Sequence, residues 1–483
     1  MSINQQASTS LQNYIQNSTL FGNQTDAFNF ISNSGSLLNN IQLPQRNLNI
    51  EGFSITGPPG TGKTFVICVG TLAFCLNSVT NRVLICTKTN AASHRIIDGF
   101  LKIFNHLNLN QFQTNFLVRL ANDNNQRNSF PNYIQIYSHS PYHPTNVRVQ
   151  SINMREHEEY IRNTRIWVGT IYQGEKFLRR VRISPNLVLF DEASQLNPPE
   201  VSLVLSRCNR LNSVGFIGDP HQLSPIGNID RLTRDIMSYL TGLIPHIPQR
   251  INRTTTLNYQ MRMNPTIAEL SFAFGRYTIQ IHNHPNTQNE FLSNSSNFTP
   301  PKSISQNLND ILESNNVVII LDTTPLGTLA SSQTALGTSQ FNPIEAEIAT
   351  AIWNLLRLSY PNLDQNQIKI IFPYRAQRFQ FPNPIFQNAG TVDKFQGQEA
   401  QVVILSLVKS DILGSSEFPG DQNRLNVSLS RAKKKLIIIG NRRALTSTNP
   451  QSFNPIFNFP TSRNNAVFIS VNNNLMTELQ NYT

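Results

Sequence analysis

The sequence has few cysteines and no long apolar run. Its 483 residues include only 4 Cys, with no CxxC pair and no companion histidines, which argues against a disulfide framework or a zinc site. No stretch of about 18 apolar residues occurs, and the N-terminus has no leader pattern. We therefore expect an intracellular protein, cytoplasmic or nuclear, with no membrane partner. All four cysteines lie in apolar context and are interpreted as reduced core residues: Cys68, Cys75, Cys86 and Cys208.

Acidic residues are also in the minority. The chain has 28 Asp plus Glu against 39 Lys plus Arg, a formal net charge of +11. This balance favours a polyanionic partner, nucleic acid first and a membrane surface second, and a merely soluble basic protein is the alternative. With 39% hydrophobic residues, a chain of this length is too long for one ordinary core, which predicts two or three domains.

Short β-branched runs alternate with helical patterns, as is typical of a parallel sheet covered by helices. A proline-containing polar segment, LIPHIPQRINRTTT, separates two such series. We predict two tandem α/β domains, residues 1–250 and 251–483, with insertions at about 107–164 and, rich in Asn and Ser, at about 280–300. The predicted strands are GFSITG, RVLICT, RIWVGT, NLVLFDE and SVGFIGD, then NVVIILDT, IKIIFP, QVVILSLV and KLIIIGN.

The segment GPPGTGKT follows a predicted strand and opens a helical pattern, FVICVGTLAFCL. Its glycines let backbone amides converge on phosphate oxygens, while Lys63 can reach the β and γ phosphates and Thr64 can supply a hydroxyl to Mg²⁺. The alternative, a chance glycine-rich turn, does not require this strand and helix context. We predict a triphosphate-binding loop made of Gly57, Pro58, Pro59, Gly60, Thr61, Gly62, Lys63 and Thr64.

Carboxylates end the strand NLVLFDE. A buried acidic pair is costly without a cation, so we interpret Asp191 as holding Mg²⁺ through water and Glu192 as the general base for hydrolysis. A helix N-cap with an acidic first turn is the alternative. After the next strand, Asp219 and Gln222 lie on a loop where Gln222 can contact the γ-phosphate and the neighbouring domain. A plain β-turn at Asp-Pro is the alternative there.

The segment NRLNVSLSRAKKKL predicts a helix that leads into a strand. Arg424 and Arg431, seven residues apart, would fall within about 20° of each other around that helix. We interpret this shared face as an arginine finger aimed at a γ-phosphate held by the other domain. For each arginine alone, a solvated helix face is the alternative.

Nine motifs of the chain resemble, in the same order, the motifs of the Upf1-like branch of the superfamily 1 helicases. They span residues 57 to 441 and read GPPGTGKT, VLICTKTNAA, VGT, DEASQ, GDPHQLSP, QMRMNP, FPYRAQ, TVDKFQGQE with VVILSLVKS, and RLNVSLSRAKKKLIIIGN. The resemblance implies two RecA-like domains with the nucleotide cleft between them, and ATP and Mg²⁺ as ligands. It also implies hydrolysis coupled to 5′ to 3′ movement along single-stranded RNA or DNA.

The resemblance further implies roles for single residues. Arg262 would join Arg431 at the γ-phosphate, and Gly397 and Glu399 would line the nucleotide near the γ-phosphate and the ribose. Gln24 would read adenine, with an ordinary surface position as the alternative. The implied strand contacts are Thr89, Asn90, Thr170, Tyr374, Arg375 and Thr391.

The chain departs from the family in two places. Met261 stands where the family usually has a tyrosine that stacks on adenine; a thioether can still pack against a ring, but base selectivity is open. Few residues precede Gln24, so we expect the β-barrel subdomain of the relatives to be missing. The first insertion could contact nucleic acid or be a folded surface module, and its candidate contacts are Arg127, Arg148, Arg155, Arg162, Tyr133, Tyr137, Tyr142 and Tyr160.

The predicted function is an ATP-dependent helicase or translocase. The alternatives are a nucleic-acid-stimulated ATPase that remodels nucleoprotein complexes, and a scaffold that clamps RNA without unwinding. Retention of Glu192, Arg262 and Arg431 argues against the clamp, because a pure clamp needs no general base.

Overall fold

The computed structural model describes residues 5–34, 50–107, 116–121, 135–138, 164–181, 183–225, 234–243, 253–275, 279–292, 304–335, 339–412 and 418–483, with the single residues 277, 298 and 301. The chain divides into two compact units, Met1–Tyr259 and Gln260–Thr483. Each unit is a parallel sheet flanked by helices, which confirms the predicted fold class of two RecA-like domains. Among the described helices, none combines the length and the apolarity that crossing a bilayer requires.

The first unit is built on eight parallel strands. They are β1 (Glu51–Thr56), β2 (Val83–Thr87), β3 (Leu117–Ala121), β4 (Gln135–Ser138), β5 (Ile166–Thr170), β6 (Leu187–Asp191), β7 (Ser213–Gly218) and β8 (Arg253–Thr256). Their order in the sheet is β4-β3-β5-β2-β6-β7-β1-β8. All five strands predicted for this half are present. Its helices are α1 (Gln5–Asn17), α2 (Gln24–Ser32), α3 (Lys63–Asn77), α4 (Asn90–His106), α5 (Ile171–Arg180), α6 (Pro198–Leu205) and α7 (Ile236–Leu243).

Both faces of this sheet are covered, because alternate residues of its central strands enter two different cores. In β2, Val83 and Ile85 pack into one hydrophobic cluster, whereas Leu84 and Cys86 pack into another. Every residue of β2 is buried, as expected for a parallel strand between two helical layers. The cysteines are free thiols, with Cys208 alone half-buried.

The second unit is built on a six-stranded parallel sheet. After the short strands β9 (Tyr259–Gln260) and β10 (His282–Asn283), its elements include β11 (Val318–Asp322), β12 (Gln333–Thr334), β13 (Gln340–Phe341), β14 (Ile368–Phe372), β15 (Ala389–Thr391), β16 (Ala400–Ser406), β17 (Ala432–Gly440) and β18 (Ala466–Ser470). The six-stranded order is β15-β14-β16-β17-β11-β18, and it contains the four predicted strands. Its helices are α8 (Pro265–Gly275), α9 (Gln306–Leu312), α10 (Pro343–Ser359), α11 (Ile385–Asn388), α12 (Val392–Phe395), α13 (Gln422–Leu429), α14 (Arg442–Thr448), α15 (Pro450–Phe457) and α16 (Asn473–Gln480).

Both predicted insertions contain residues that belong to the main fold. Strand β3 lies within the range 107–164 but pairs with β5 in the first sheet, so this part of the range is not an insertion. In the second range, Leu292 is fully buried in the core of its unit. The candidate contacts Arg127, Arg148, Arg155, Arg162, Tyr133, Tyr142 and Tyr160 lie outside the described residues, as does the side chain of Tyr137.

A carboxyl group is buried in the core of the second unit. Glu345 lies in the first turn of α10, and its Oε2 accepts hydrogen bonds from the Ser406 hydroxyl at 2.7 Å and the Val408 N–H at 2.8 Å. Burial raises the pKa of Glu345 to about 7, because it outweighs the lowering effect of these hydrogen bonds. The folded protein therefore retains a proton that the unfolded chain releases at a lower pH.

We expect the contribution of Glu345 to stability to fall by roughly 3 kcal/mol as the pH rises from 4.5 to about 7. The folded-state pKa is the higher one, so the contribution is complete below the unfolded pKa and is lost as the pH rises through the folded one. Urea unfolding of the wild type and Glu345→Gln across this window measures the difference, since glutamine keeps an oxygen for Ser406 and does not titrate. A difference in unfolding free energy that does not change with pH would contradict the expectation.

Candidate active site and strand-contact surfaces

The phosphate loop connects β1 to α3. Gly60 and Gly62 have φ angles of 78° and 84°, a region that glycine adopts without strain. At Gly57 an added Cβ would lie 2.4 Å from the Cγ of Lys63, so a larger residue would displace the lysine. The Lys63 ammonium donates to the Gly57 carbonyl and so lies over the loop. The remaining loop residues are buried or half-buried: Pro58, Pro59, Thr61 and Thr64.

Gln24 begins α2 and touches the phosphate loop. It is 1% exposed, so the alternative of an ordinary surface position is wrong. Its Nε2 donates to the Thr61 carbonyl at 2.9 Å, and its Oε1 accepts from the Phe21 N–H at 3.0 Å. The ring of Tyr259 lies 6.1 Å from that of Phe21, between centroids. The glutamine is therefore fixed beside the loop, with aromatic surface nearby.

Asp191 ends β6 and is buried. Burial, assisted by the negative charge of Glu192, raises the pKa of Asp191 to about 6 against the opposing charges of Arg95 and Lys63. The described residues contain no cluster of three or more acidic, histidine or cysteine side chains that could hold a metal. A divalent cation here would therefore depend on Asp191 together with ligands from phosphate, water and a hydroxyl such as that of Thr64.

Glu192 follows with a left-handed backbone, φ 55° and ψ 39°, which is uncommon outside glycine. The Arg95 guanidinium forms an ion pair with its Oε1, and the Gln195 side-chain N–H donates to its Oε2 at 2.9 Å. Its side chain makes no cap hydrogen bond to the short helix Ala193–Gln195, so the helix-cap alternative does not account for it. The carboxylate is instead held by two side chains.

Asp219 shapes the loop after β7. Its carboxylate accepts hydrogen bonds from the His221 N–H and from the Gln222 side-chain N–H, each at 3.0 Å. The Gln222 backbone N–H also donates to the Asp219 carbonyl at 3.0 Å, as in a β-turn. The turn at Asp-Pro is therefore present, and it fixes the position of Gln222.

These groups share one edge of the first sheet because their strands are neighbours and parallel. Thr56 at the end of β1 is level with Gly218 at the end of β7, and Asp191 of β6 is level with Ile217. The predicted strand contacts Thr89 and Asn90 follow β2, and Thr170 ends β5, level with Thr87 at the end of β2. The phosphate loop and the carboxylates thus lie at the carboxyl ends of β1, β7 and β6. The strand-contact residues lie at the carboxyl ends of the adjoining β2 and β5.

Thr89 and Thr170 cap the helices that begin at this edge. The Thr89 side chain accepts from the Ala92 N–H at 3.2 Å, and Thr170 forms a capping box with Gln173 in the first turn of α5. Asn90 is exposed and its Oδ1 accepts from the Gln173 side-chain N–H at 3.1 Å. Asn90 and Thr170 are therefore linked through Gln173, and Thr89 caps the helix that Asn90 begins.

A fully buried arginine lies beneath this group. Arg119 in β3 donates to Asn90 Oδ1 and to Gln173 Oε1, each at 2.8 Å. Burial lowers the pKa of Arg119 to about 10. Because Asn90 Oδ1 faces two donors, its amide N–H₂ is directed away from them, which suits donation to phosphate oxygens.

In the second unit, Glu399 is the centre of a charged cluster. Arg262 Nε lies 2.6 Å from its Oε2, and Lys433 forms an ion pair with its Oε1. Burial alone would raise the pKa of Glu399, but the charges of Arg262 and Lys433 outweigh it and lower the pKa to about 2. Gly397, with φ 77°, forms the turn before this carboxylate. Glu399 precedes β16 directly, so the cluster lies at the amino edge of its sheet.

Arg424 and Arg431 do not share a helix face, and this part of the prediction is wrong. Helix α13 ends at Leu429, so Arg431 lies beyond it, immediately before β17. Arg431 is 3% exposed, and its guanidinium donates to the carbonyls of Val427 at 2.9 Å and Gln398 at 3.1 Å. Arg424 instead pairs with a carboxylate of α12 at 3.0 Å. The helix ends two residues too early for the seven-residue spacing to apply.

The predicted strand contacts of the second unit lie at the opposite edge of its sheet from the charged cluster. Thr391 ends β15 and is level with Phe372, the last residue of β14, after which Tyr374 and Arg375 follow. Burial raises the pKa of Tyr374 to about 12, and its ring lies 5.3 Å from that of Phe418. Arg375 is exposed. Met261 is also exposed, at 37%, near the start of the unit.

Sequence reasoning missed Arg95, Arg119 and Lys433. Arg95 and Lys433 were visible only as members of ordinary charged segments, HRIID and AKKK. Arg119 interrupts the apolar run FLVRLA, and a charged residue within a strand pattern is a signal that could have been used. Each of these residues pairs with a partner that is distant in the chain. Arg95 and Glu192 are 97 residues apart, Lys433 and Glu399 are 34 apart, and Arg119 and Asn90 are 29 apart.

Comparison with known proteins now identifies the family. Two family models, each described as an AAA domain, match residues 43–228 and 240–443. The chain is 26% identical to the DNA polymerase alpha-associated DNA helicase A of Saccharomyces cerevisiae, over 89% of this chain and 69% of that protein. It is 28% identical to the DNA replication ATP-dependent helicase/nuclease DNA2 of Xenopus laevis, over 84% and 38%. It is 26% identical to the ATP-dependent helicase NAM7 of S. cerevisiae, over 81% and 40%.

The chain thus spans about two thirds of the first relative but only about two fifths of the other two. The two matched regions lie in both units and include the phosphate loop, the carboxylates of β6 and the cluster around Glu399. Together with the nine ordered motifs, they place the protein among ATP-dependent enzymes. The chain belongs to the Upf1-like branch of the superfamily 1 helicases.

Proposed function

We propose that this protein binds ATP and Mg²⁺ at the phosphate loop of its first unit, with arginines of the second unit acting on the γ-phosphate, and uses hydrolysis to move 5′ to 3′ along single-stranded RNA or DNA. The observation that carries the proposal is the division of one sheet edge in the first unit. The phosphate loop follows β1 and Asp191 ends β6, while Thr89 and Asn90 follow the adjoining β2 and Thr170 ends β5. A nucleotide and a strand bound there would be close enough to influence each other.

The residues present fit a magnesium nucleotide. A side chain at Gly57 would displace Lys63, the residue expected to bind phosphate, and Asp191 is a buried carboxyl group suited to a cation. Mg²⁺, held by Thr64 and through water by Asp191, would neutralise charge on the phosphate oxygens. Lys63 would bind the β and γ phosphates. Gln24 would read the adenine edge, because a carboxamide has one donor and one acceptor that match the adjacent acceptor and donor of adenine.

Hydrolysis requires an activated water and stabilisation of the γ-phosphoryl group. Glu192 accepts a proton from the water as its oxygen attacks the γ-phosphorus, and the bond to the β–γ bridging oxygen breaks to release ADP and phosphate. Arg262 and Arg431 stabilise the negative charge that develops in the transition state. The side-chain amide of Gln222 contacts the γ-phosphate. Gly397 and Glu399 line the nucleotide from the second unit. Loss of the γ-phosphate then changes how tightly the strand is held.

The strand contacts would be to backbone phosphates and stacked bases, because the predicted residues are hydroxyl, amide, guanidinium and aromatic groups. Such contacts give little sequence preference and a strong dependence on salt. The names of the relatives include a DNA helicase and a DNA replication helicase/nuclease, which supports nucleic acid as the substrate class.

A nucleic-acid-stimulated ATPase that remodels nucleoprotein complexes or clamps RNA without unwinding is the alternative. ATP turnover on poly-U and poly-dT, together with unwinding of a 5′-tailed forked duplex, separates the two. We expect turnover to rise with either homopolymer, to weaken as salt increases, and to drive unwinding of the fork. Stimulated turnover without unwinding would favour the remodelling enzyme. Turnover that no strand stimulates would overturn the proposal.

A further inference from the structure

One helix connects the two halves of the sheet edge in the first unit. Helix α4 begins with Asn90, capped by Thr89, and both are predicted to contact the strand. Five residues further along the same helix, Arg95 pairs with Glu192, the predicted general base. At 1.5 Å per residue, about 7.5 Å along the helix axis separates the strand end from this ion pair. A rigid helix of this length transmits a small displacement with little loss.

The contacts of Glu192 connect this helix to the hydrolysis step. Arg95 occupies its Oε1 and Gln195 donates to its Oε2, so both oxygens that could accept a proton from water are engaged. An ion pair with a guanidinium holds the carboxylate oxygen in a charge-assisted hydrogen bond, so that oxygen is turned toward Arg95. The Arg95 side chain is 34% exposed, so the pair lies where modest movement can break it.

We propose that Arg95 is a positioning residue that holds Glu192 in a poorly reactive state until a strand binds at Asn90 and Thr89. Strand binding moves the start of α4, Arg95 withdraws from Glu192, and the carboxylate becomes available to the attacking water. This inference rests on the proposed function, since it assumes that a strand binds at α4.

The test compares Arg95→Ala and Arg95→Gln with the wild type and with Lys102→Ala. Lys102 is an exposed cation on the same helix and makes a matched control for loss of one positive charge. ATP turnover is measured without nucleic acid and with saturating poly-dT or poly-U, and thermal unfolding checks that each variant is folded. Arg95→Gln removes the charge but retains a donor, which allows the ion pair to be separated from a neutral hydrogen bond.

We expect Arg95→Ala to raise turnover without a strand roughly fivefold, as for release of one partly exposed ion pair, and to reduce the ratio of stimulated to unstimulated turnover by the same factor. Arg95→Gln should lie between it and the wild type, and Lys102→Ala should retain the wild-type ratio. If the wild type is stimulated but Arg95→Ala lowers both rates equally, or leaves the ratio unchanged in a folded protein, the inference is overturned while the proposed function stands. A wild type that no strand stimulates would instead overturn the proposed function itself.

Discussion

Replacing Glu192 with glutamine is expected to lower the strand-stimulated kcat for ATP hydrolysis by about 10²- to 10⁴-fold, the usual contribution of a general base. Glutamine has nearly the same shape and can still bond to Gln195, but it cannot accept the proton of the attacking water. The KM for ATP should change little, because the phosphate loop is untouched. Steady-state turnover and binding of a fluorescent ATP analogue measure the two effects separately.

Glu175→Gln is a suitable control for this experiment. Glu175 is also a largely buried carboxylate paired with arginine, in its case Arg207 at 3.2 Å, and it lies in the same unit. Loss of its charge should affect stability and leave kcat unchanged. If Glu192→Gln keeps a kcat close to that of the wild type, another group must activate the water and the assignment of the base is wrong.

Arg262→Ala is expected to lower kcat by about 10³-fold or more, the scale associated with an arginine that stabilises phosphoryl transfer. Its side chain is partly exposed and paired with Glu399, so the melting temperature should change little. Arg431→Ala should lower both kcat and the melting temperature, because its buried guanidinium donates to the carbonyls of Val427 and Gln398. Turnover combined with thermal unfolding distinguishes the two arginines.

Arg463→Ala provides the matched control, since Arg463 is a surface arginine of the same unit and is paired with Glu269. It should retain the wild-type kcat. A normal kcat for Arg262→Ala together with a normal kcat for folded Arg431→Ala would contradict the proposal that arginines of the second unit stabilise the γ-phosphoryl group.

The parts of the fold that could be predicted from the sequence are those set by short, continuous segments of the chain. Nine apolar runs became nine strands, and the phosphate loop is set by glycines at Gly60 and Gly62 whose positive φ angles follow from their residue type. The position of Asp191 at a strand end likewise follows from one short segment. These features depend on neighbours in the chain, so the sequence contains the information needed to predict them.

What could not be predicted depends on contacts between distant segments. From the sequence alone, Gln24 could be an ordinary surface residue or part of the nucleotide site. Its hydrogen bond to the Thr61 carbonyl, 37 residues away, places it beside the phosphate loop. The environment of Arg431 depends on the helix ending at Leu429, and helix ends are set by cap geometry that propensity describes poorly. The pairing of Arg95 with Glu192 requires α4 to pack on β2, the neighbour of β6 in the sheet, and no local pattern encodes this.

Strand β3 has a practical consequence for engineering. A shortened protein designed by excising the whole range 107–164 would delete β3 and β4, leaving β5 paired with β2 alone and removing the guanidinium that orients Asn90. Deletions that begin after Ser138 spare both strands and this guanidinium. The choice of this boundary therefore decides whether a truncated variant keeps the complete edge of its first sheet and the side chain that supports Asn90.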